Sequence, residues 1–258
     1  MSSRPGRSRR WAGGPGGRAV IVARVSDSGT APDRPARRRR LPWFTEVVVA
    51  VVGVALVQAF FVKPFGVPSQ SMEDTLQVGD RILVNRLDDT WNRGDVVVFG
   101  HGASWQDRRL PPSGDVVERG VRLVGDLTGI GPSNTSYTVK RVIGLPGDRV
   151  ACCSTDGAVT VDDRPLVEPY VKEDLPFRPG TLDCSSTPRS TRCFPEIRVP
   201  EDTLLVLGDH RSQSADSVIG CRGATQGPEC ARLVPTTRVV GPVVLRFWPP
   251  GDLGGIAR

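Results

Sequence analysis

From Val47 to Val62 the chain is apolar at every position except Gln58, with no spacing that would leave one helical side polar. A helix apolar on all sides belongs in a core or in lipid, and roughly 20 apolar residues match the thickness of a bilayer. Residues 41–63 are therefore predicted to form a transmembrane anchor. Beyond residue 64 the pattern changes to short β-branched runs bounded by Gly, Asp, Asn or Pro. Residues 81–85, 95–99, 137–145, 203–207 and 239–248 read as strands of an antiparallel, mostly β domain. No helical period of useful length is expected after residue 64, apart from a short turn after Ser71. Residues 1–40, rich in Gly, Pro, Ser and Arg, show no period that could bury a face and read as a disordered tail. Residues 100–136 and 151–200 are rich in Pro, Gly, Ser and charge and read as excursions. The predicted organisation is a tail over 1–40, an anchor over 41–63, and a core over 64–150 and 201–258. The segment 151–200 is an inserted subdomain, stapled by disulfides.

Charge changes the picture through its distribution. The 258 residues carry 34 basic and 28 acidic side chains, a net of +6. Eleven Arg against two Asp put +9 into residues 1–40, leaving 6 − 9 = −3 for the remainder. A net-acidic domain offers no broad phosphate-binding face, so no nucleic acid is expected as partner. Arg37 to Arg40 precede the apolar run and only Lys63 follows it closely, so the tail is expected in the cytoplasm and everything past residue 64 outside it. All six Cys (152, 153, 184, 193, 221 and 230) fall in that outer part. An oxidising compartment allows disulfides in fifteen complete pairings, of which Cys184–Cys193 and Cys221–Cys230 are the closely spaced candidates. With no CxxC and only His101 and His210 besides, neither a metal nor another cofactor is expected.

Candidate chemistry follows from what is scarce. Two histidines supply a Ser–His–Asp triad poorly, and His210 beside Asp209 reads as a turn residue. Lysine offers another base: once desolvated it loses its proton, which arginine does not. Only three of the 34 basic residues are Lys, and Lys140 alone sits in an apolar strand, Thr138-Val-Lys-Arg-Val-Ile-Gly144. The anchor in turn leads directly into Gly66-Val-Pro-Ser-Gln-Ser-Met-Glu-Asp-Thr-Leu76, with Ser69 and Ser71 one residue apart.

These pieces resemble the bacterial type I signal peptidases, in order and over most of residues 42–248. Pro68-Ser-Gln-Ser-Met72 with Thr75-Leu76 is similar to the nucleophile block. Gly79-Asp-Arg-Ile-Leu-Val-Asn85 and Arg93-Gly-Asp-Val-Val-Val-Phe99 are similar to the strand blocks that follow. Lys140-Arg-Val-Ile-Gly-Leu-Pro-Gly-Asp148 resembles the block carrying the base, and Leu207-Gly-Asp-His-Arg-Ser-Gln-Ser-Ala-Asp-Ser217 the last block. The resemblance implies a signal-peptidase-like antiparallel β catalytic domain behind one N-terminal transmembrane helix. It implies a serine endopeptidase of the plasma membrane that removes signal peptides from exported preproteins. Ser71 matches the nucleophile, Lys140 the general base, and Ser69 the oxyanion-hole hydroxyl. Ser214 matches the serine that orients the lysine. Asp216 matches a structural acid for which Arg141 is the expected partner. Val67, Met72, Leu76 and Val139 match positions lining small pockets that favour Ala at −1 and −3. Three departures stand out. Asp74 replaces a Pro; His210, Ser212 and Gln213 replace three residues of the last block; and Val218 stands where an Arg commonly pairs with the acid. Preproteins and the lipid bilayer are the expected partners, and the chain is expected to act as a monomer.

Overall fold

The computed structural model describes residues 42–101, 105, 115–128, 136–223 and 227–256. The reading of residues 1–40 as a disordered tail lies outside them. Residues 42–258 form one compact unit.

Helix α1 (Trp43–Phe60) takes up the apolar run and leaves most of its valines exposed. At 1.5 Å per residue its 18 residues extend about 27 Å. Among the described residues, no helix is long and apolar enough by itself to cross a membrane. From α1 the chain passes through Phe61 into β1 (Val62–Gly66), then β2 (Arg81–Asn85), β3 (Val96–Gly100) and β4 (Tyr137–Gly144). β5 (Arg149–Cys152), β6 (Val159–Val161), β7 (Arg164–Pro165) and β8 (Phe194–Arg198) follow, and then β9 (Thr203–Leu207), β10 (Val234–Pro235) and β11 (Val239–Trp248). The strand expectations hold to within a residue or so at each end.

Seven strands form one sheet in the order β1-β2-β11-β3-β4-β9-β10, and four form a second in the order β7-β6-β5-β8. Every pairing is antiparallel. β11 pairs first with β3 and then with β2. Near that change of partner, Gly241 has φ +153°, and a Cβ there would stand 1.8 Å from the Asn85 carbonyl oxygen. Only glycine allows so close an approach of two backbones.

β4 sits between β3 and β9, and both of its faces are covered. Val139 packs with Phe65, Val67, Met72 and Leu76, whereas Val142 packs with Val97, Phe99, Leu204 and Val206. Farther along the strand, Ile143 joins a third cluster with Val150, Phe194 and Ile197 from the second sheet. From Val139 to Gly144 the strand is therefore buried on every side, which explains how a lysine at position 140 loses its water.

The sequence expectation misses several elements: β1 starts at Val62, inside the anchor expected over 41–63, β5 to β8 and β10 had no expected strand, and a helix was missed as well. Residues 116–128 form a helix, α2 (Val116–Thr128), that packs against α1. The Gly/Pro/Ser content of 100–136 as a whole masked a local helical period. Two disulfides match the closely spaced candidates, Cys184–Cys193 and Cys221–Cys230, and a third joins Cys152 to Cys153.

Candidate active site

β1 delivers the chain to an extended stretch ending at Ser69, and residues Gln70–Met72 then make one 3-10 turn. The turn is pinned from below. Val67 N–H donates to the Asp80 carbonyl, Gly79 N–H to that of Val67, and Leu76 N–H to that of Met72. Met72 and Leu76 point into the core, so Ser71 is held on a short, rigid segment rather than a free loop. Asp74 has φ +91°, which a proline ring fixed near −65° cannot adopt, so this turn takes a course unavailable to the Pro of the resembling block.

Lys140 comes to Ser71 from β4. Its Nζ donates to Ser71 Oγ at 2.5 Å and to the Val139 carbonyl at 3.0 Å. Burial pushes the pKa of its ammonium down to about 8, against the opposing pull of the Asp216 and Asp209 carboxylates. Ser69 Oγ lies 3.3 Å from Ser71 Oγ. A serine hydroxyl, a buried amine and a second hydroxyl thus converge from two elements.

The third element is the turn after β9. Gly208, Asp209 and His210 lead into a 3-10 turn, Arg211–Gln213, and on to Ser214. His210 N–H donates to the Ser71 carbonyl at 3.2 Å. A Cβ on Gly208 would fall 2.5 Å from that same carbonyl oxygen and 2.2 Å from Ser214 Oγ, so Ser214 lies directly over Gly208. The expected hydrogen bond between Ser214 and Lys140 is not formed. The Nζ donates to Ser71 and Val139 instead, and the buried Ser214 Oγ has no partner among the described residues.

The expected pairing of Arg141 with Asp216 is also corrected. Arg141, wholly buried, grips Asp209 with two N–H donors, at 2.9 and 2.7 Å, and donates to the Gly94 carbonyl at 2.7 Å. Thr75 Oγ1 donates to the same carboxylate at 2.5 Å. One buried ion pair therefore ties the nucleophile segment, β4 and the last block together. Asp216 pairs with Arg222 at 2.9 Å, so an arginine four residues farther on supplies the charge that Val218 lacks. Asp209 and Thr75 stood in the motifs from the start; Arg222 had no signal beyond its charge.

The segment 151–200 reaches this site as well. The Tyr170 ring stacks 3.8 Å from the Arg141 guanidinium, and Glu168 accepts from buried Arg211 at 2.6 Å. Glu73 accepts from Lys172 at 3.0 Å, a bond that lowers its pKa, and lies 3.3 Å from His210 Nδ1.

Beside Ser69 and Ser71 is a cavity of about 50 Å³. Val67, Met72 and Val139 line it, whereas Leu76 is fully buried behind them in the core. Tyr137 and Thr138, which sequence reasoning did not single out, complete the wall from the strand that carries Lys140. A larger groove of about 510 Å³ runs past Ser71 and Lys140 to Trp105 and Arg232. In the cysteine-rich part, the sulfurs of Cys153, Cys184 and Cys193 lie within 4.8 Å of one another, but each is already bonded in a disulfide.

The site can now be set beside known proteins. Residues 40–248 match the family model described as signal peptidase, peptidase S26. A probable signal peptidase I of Mycobacterium leprae is 33% identical, the match covering 92% of this chain and 86% of that protein. Signal peptidase I of Mycobacterium tuberculosis is 35% identical over 87% of this chain and 78% of its own length. A crystal structure of a signal peptidase I from Enterococcus faecalis V583 aligns over 59% of this chain and 96% of that one, with 21% identity and a TM-score of 0.31. On the extent of the family match and of these relatives, the chain belongs to the S26 signal peptidases, serine hydrolases that remove signal peptides from secreted preproteins.

Proposed function

We propose that this peptidase works through a Ser71/Lys140 dyad and cuts after small residues, with Ala favoured at −1 and −3. The observation that carries the reading is the buried lysine amine 2.5 Å from a serine hydroxyl, with its pKa brought down to about 8. Neutral Lys140 accepts the Ser71 proton as Oγ attacks the scissile carbonyl. The oxyanion is held by the Ser69 hydroxyl and the Ser71 backbone N–H, donors of a kind worth roughly 3–4 kcal/mol each in the transition state. Protonated Lys140 gives its proton to the leaving amine. Water then attacks the acyl-enzyme carbonyl and gives a proton to neutral Lys140 Nζ, which passes it to Ser71 Oγ as the ester bond breaks, releasing the carboxylic acid and regenerating Ser71. Ser214 packs against the Gly208 turn, and the Asp209–Arg141 and Asp216–Arg222 pairs hold the surrounding frame.

Specificity follows from volume. The cavity of about 50 Å³ beside Ser69 and Ser71 is small, which supports a short side chain such as that of alanine over a bulky one. No cofactor takes part.

The same reading includes an anchor. α1 and Phe61 expose apolar side chains on all sides, a surface that lipid satisfies and water does not. A span of about 27 Å is a little short of a typical hydrocarbon core, and local thinning of the bilayer absorbs such a mismatch at small cost. The tail is cytoplasmic, the rest of the chain faces outward, and the enzyme acts as a monomer on preproteins brought to the same membrane.

The test is cleavage of a preprotein with an Ala-x-Ala site by the detergent-solubilised full chain, with product termini read by mass spectrometry. Wild type is expected to cut after the −1 Ala, while Ser71→Ala and Lys140→Arg leave the preprotein intact. Cleavage that survives Lys140→Arg removes the lysine from its role. Loss of specificity for small residues at −1 removes the pocket from its own.

A further inference from the structure

Helix α2 presents its surfaces the wrong way round for a helix in water. At 100° per residue, Val116, Val117, Val121 and Leu123 fall within an arc of about 160°, and Glu118, Arg119 and Arg122 occupy most of the remainder. The apolar arc is the exposed one: Val116 and Val117 are each 76% accessible, Leu123 57% and Val121 49%. Arg122, by contrast, is 8% accessible and paired to Glu118 at 2.6 Å. Gly120 lies in the middle of the apolar arc, and a Cβ there would meet nothing within 4 Å, so the surface in front of it is open. Burying an arginine while exposing four aliphatic side chains has no stabilising logic in an aqueous setting.

The neighbour explains the inversion. α2 packs against α1, whose own valines are exposed throughout. We infer that α2 lies in the interfacial layer of the bilayer beside α1, with Val116, Val117, Val121 and Leu123 in the acyl region. Arg119, exposed at the border of the arc, is placed to reach anionic headgroups. This inference rests on the anchor proposed above and adds a second membrane contact from the segment 100–136.

The test uses the full chain reconstituted in phosphatidylcholine/phosphatidylglycerol vesicles containing a phospholipid with a diazirine on its acyl chain. After illumination, peptide mass spectrometry maps the lipid adducts. Adducts are expected in residues 116–128 as well as in 43–60. Val117→Asn with Val121→Asn should lower the 116–128 adducts at least fivefold, leave those in 43–60 unchanged, and leave cleavage of a short soluble peptide in detergent unchanged. Adducts confined to 43–60 would overturn the docking of α2 and keep the anchor. Adducts in neither segment would remove the anchor and this inference with it. Adducts in 116–128 that the double variant does not reduce would show that another face meets lipid. A wild-type dimer that the double variant converts to monomer, without lipid adducts on α2, would assign the face to a second copy instead.

Discussion

In the proposed mechanism, Lys140 sets stability against activity within a single residue. Burial holds its pKa near 8 instead of 10.5, which at 1.36 kcal/mol per pH unit amounts to about 3 kcal/mol against the charged form. In the proposed mechanism the neutral amine is the base, so kcat/KM should rise with pH along a limb of unit slope and level off above an apparent pKa of about 8. At pH 6 the value should be about a hundredth of the plateau, and a flat profile from pH 6 to 9 with chemistry rate-limiting would reject the assignment. Stability runs in the same direction. Below pH 8 both the folded and the unfolded chain hold the proton, and the folded state bears the full burial cost. Between pH 8 and 10.5 the unfolded chain binds more protons than the folded one, so unfolding free energy rises with pH and the cost disappears. Lys140→Met, similar in length and apolar, should therefore be inactive yet more stable than wild type by about 1–3 kcal/mol at pH 7. That advantage should shrink towards pH 10, as urea unfolding of the two proteins in parallel would reveal. An advantage independent of pH would mean that packing, not the buried charge, sets the difference.

At the scale of elements, three segments far apart in sequence meet at one point, and Gly208 is where they have least room. A Cβ there would stand 2.5 Å from the Ser71 carbonyl oxygen and 2.6 Å from Ser214 Cβ, neither of which is the free end of a flexible chain. Gly208→Ala should push the last block off the nucleophile turn and cost about 100-fold in kcat while the fold is retained. Activity within a few-fold of wild type would show that the last block does not brace Ser71. Such contacts also mark the limit of what the sequence discloses. Five of the eleven strands were legible because their β-branched runs end at turn residues, and Lys140 because a chain written in arginine keeps so few lysines. The partner of Arg141 was not, because Asp209 and Asp216 both lie in the last block and only the direction of the turn after β9 decides between them. Arg222 replaces the charge missing at Val218 from a position set by the loop, not by the motif. Leu76 was placed in the pocket wall and Tyr137 overlooked for a similar reason: being apolar near the site does not say which side of the wall a residue occupies. α2 was missed because composition was read over 37 residues when its period occupies 13.

For the molecule as a whole, the decisive asymmetry lies across α1. Its N-terminal side carries Arg37 to Arg40 next to the helix, whereas Lys63 is the only basic residue close to its C-terminal end. All three disulfides lie beyond the C-terminal end, in the part that the charge rule assigns to the outer compartment. Two independent features thus support the proposed orientation, one acting through insertion and the other through redox chemistry. Orientation also decides whether the active-site groove meets preproteins on the side where their cleavage sites emerge. Protease added to intact spheroplasts should digest residues beyond α1 and spare the tail, which becomes accessible only after permeabilisation. Replacing Arg37 to Arg40 with Gln leaves Arg24 and Arg34 as the basic residues within about 20 positions of the helix, against Lys63 on the other side. With the bias reduced to two against one, a measurable fraction of the variant should insert in reverse, its catalytic part protected from external protease. Preprotein processing in cells should fall by that same fraction, while activity in detergent, where sidedness has no meaning, stays at the wild-type level. A wild-type tail cut from outside, with the catalytic part protected, would invert the topology. Unchanged protection in the four-residue variant would shift the control of orientation from these arginines to the folding of the outer part itself.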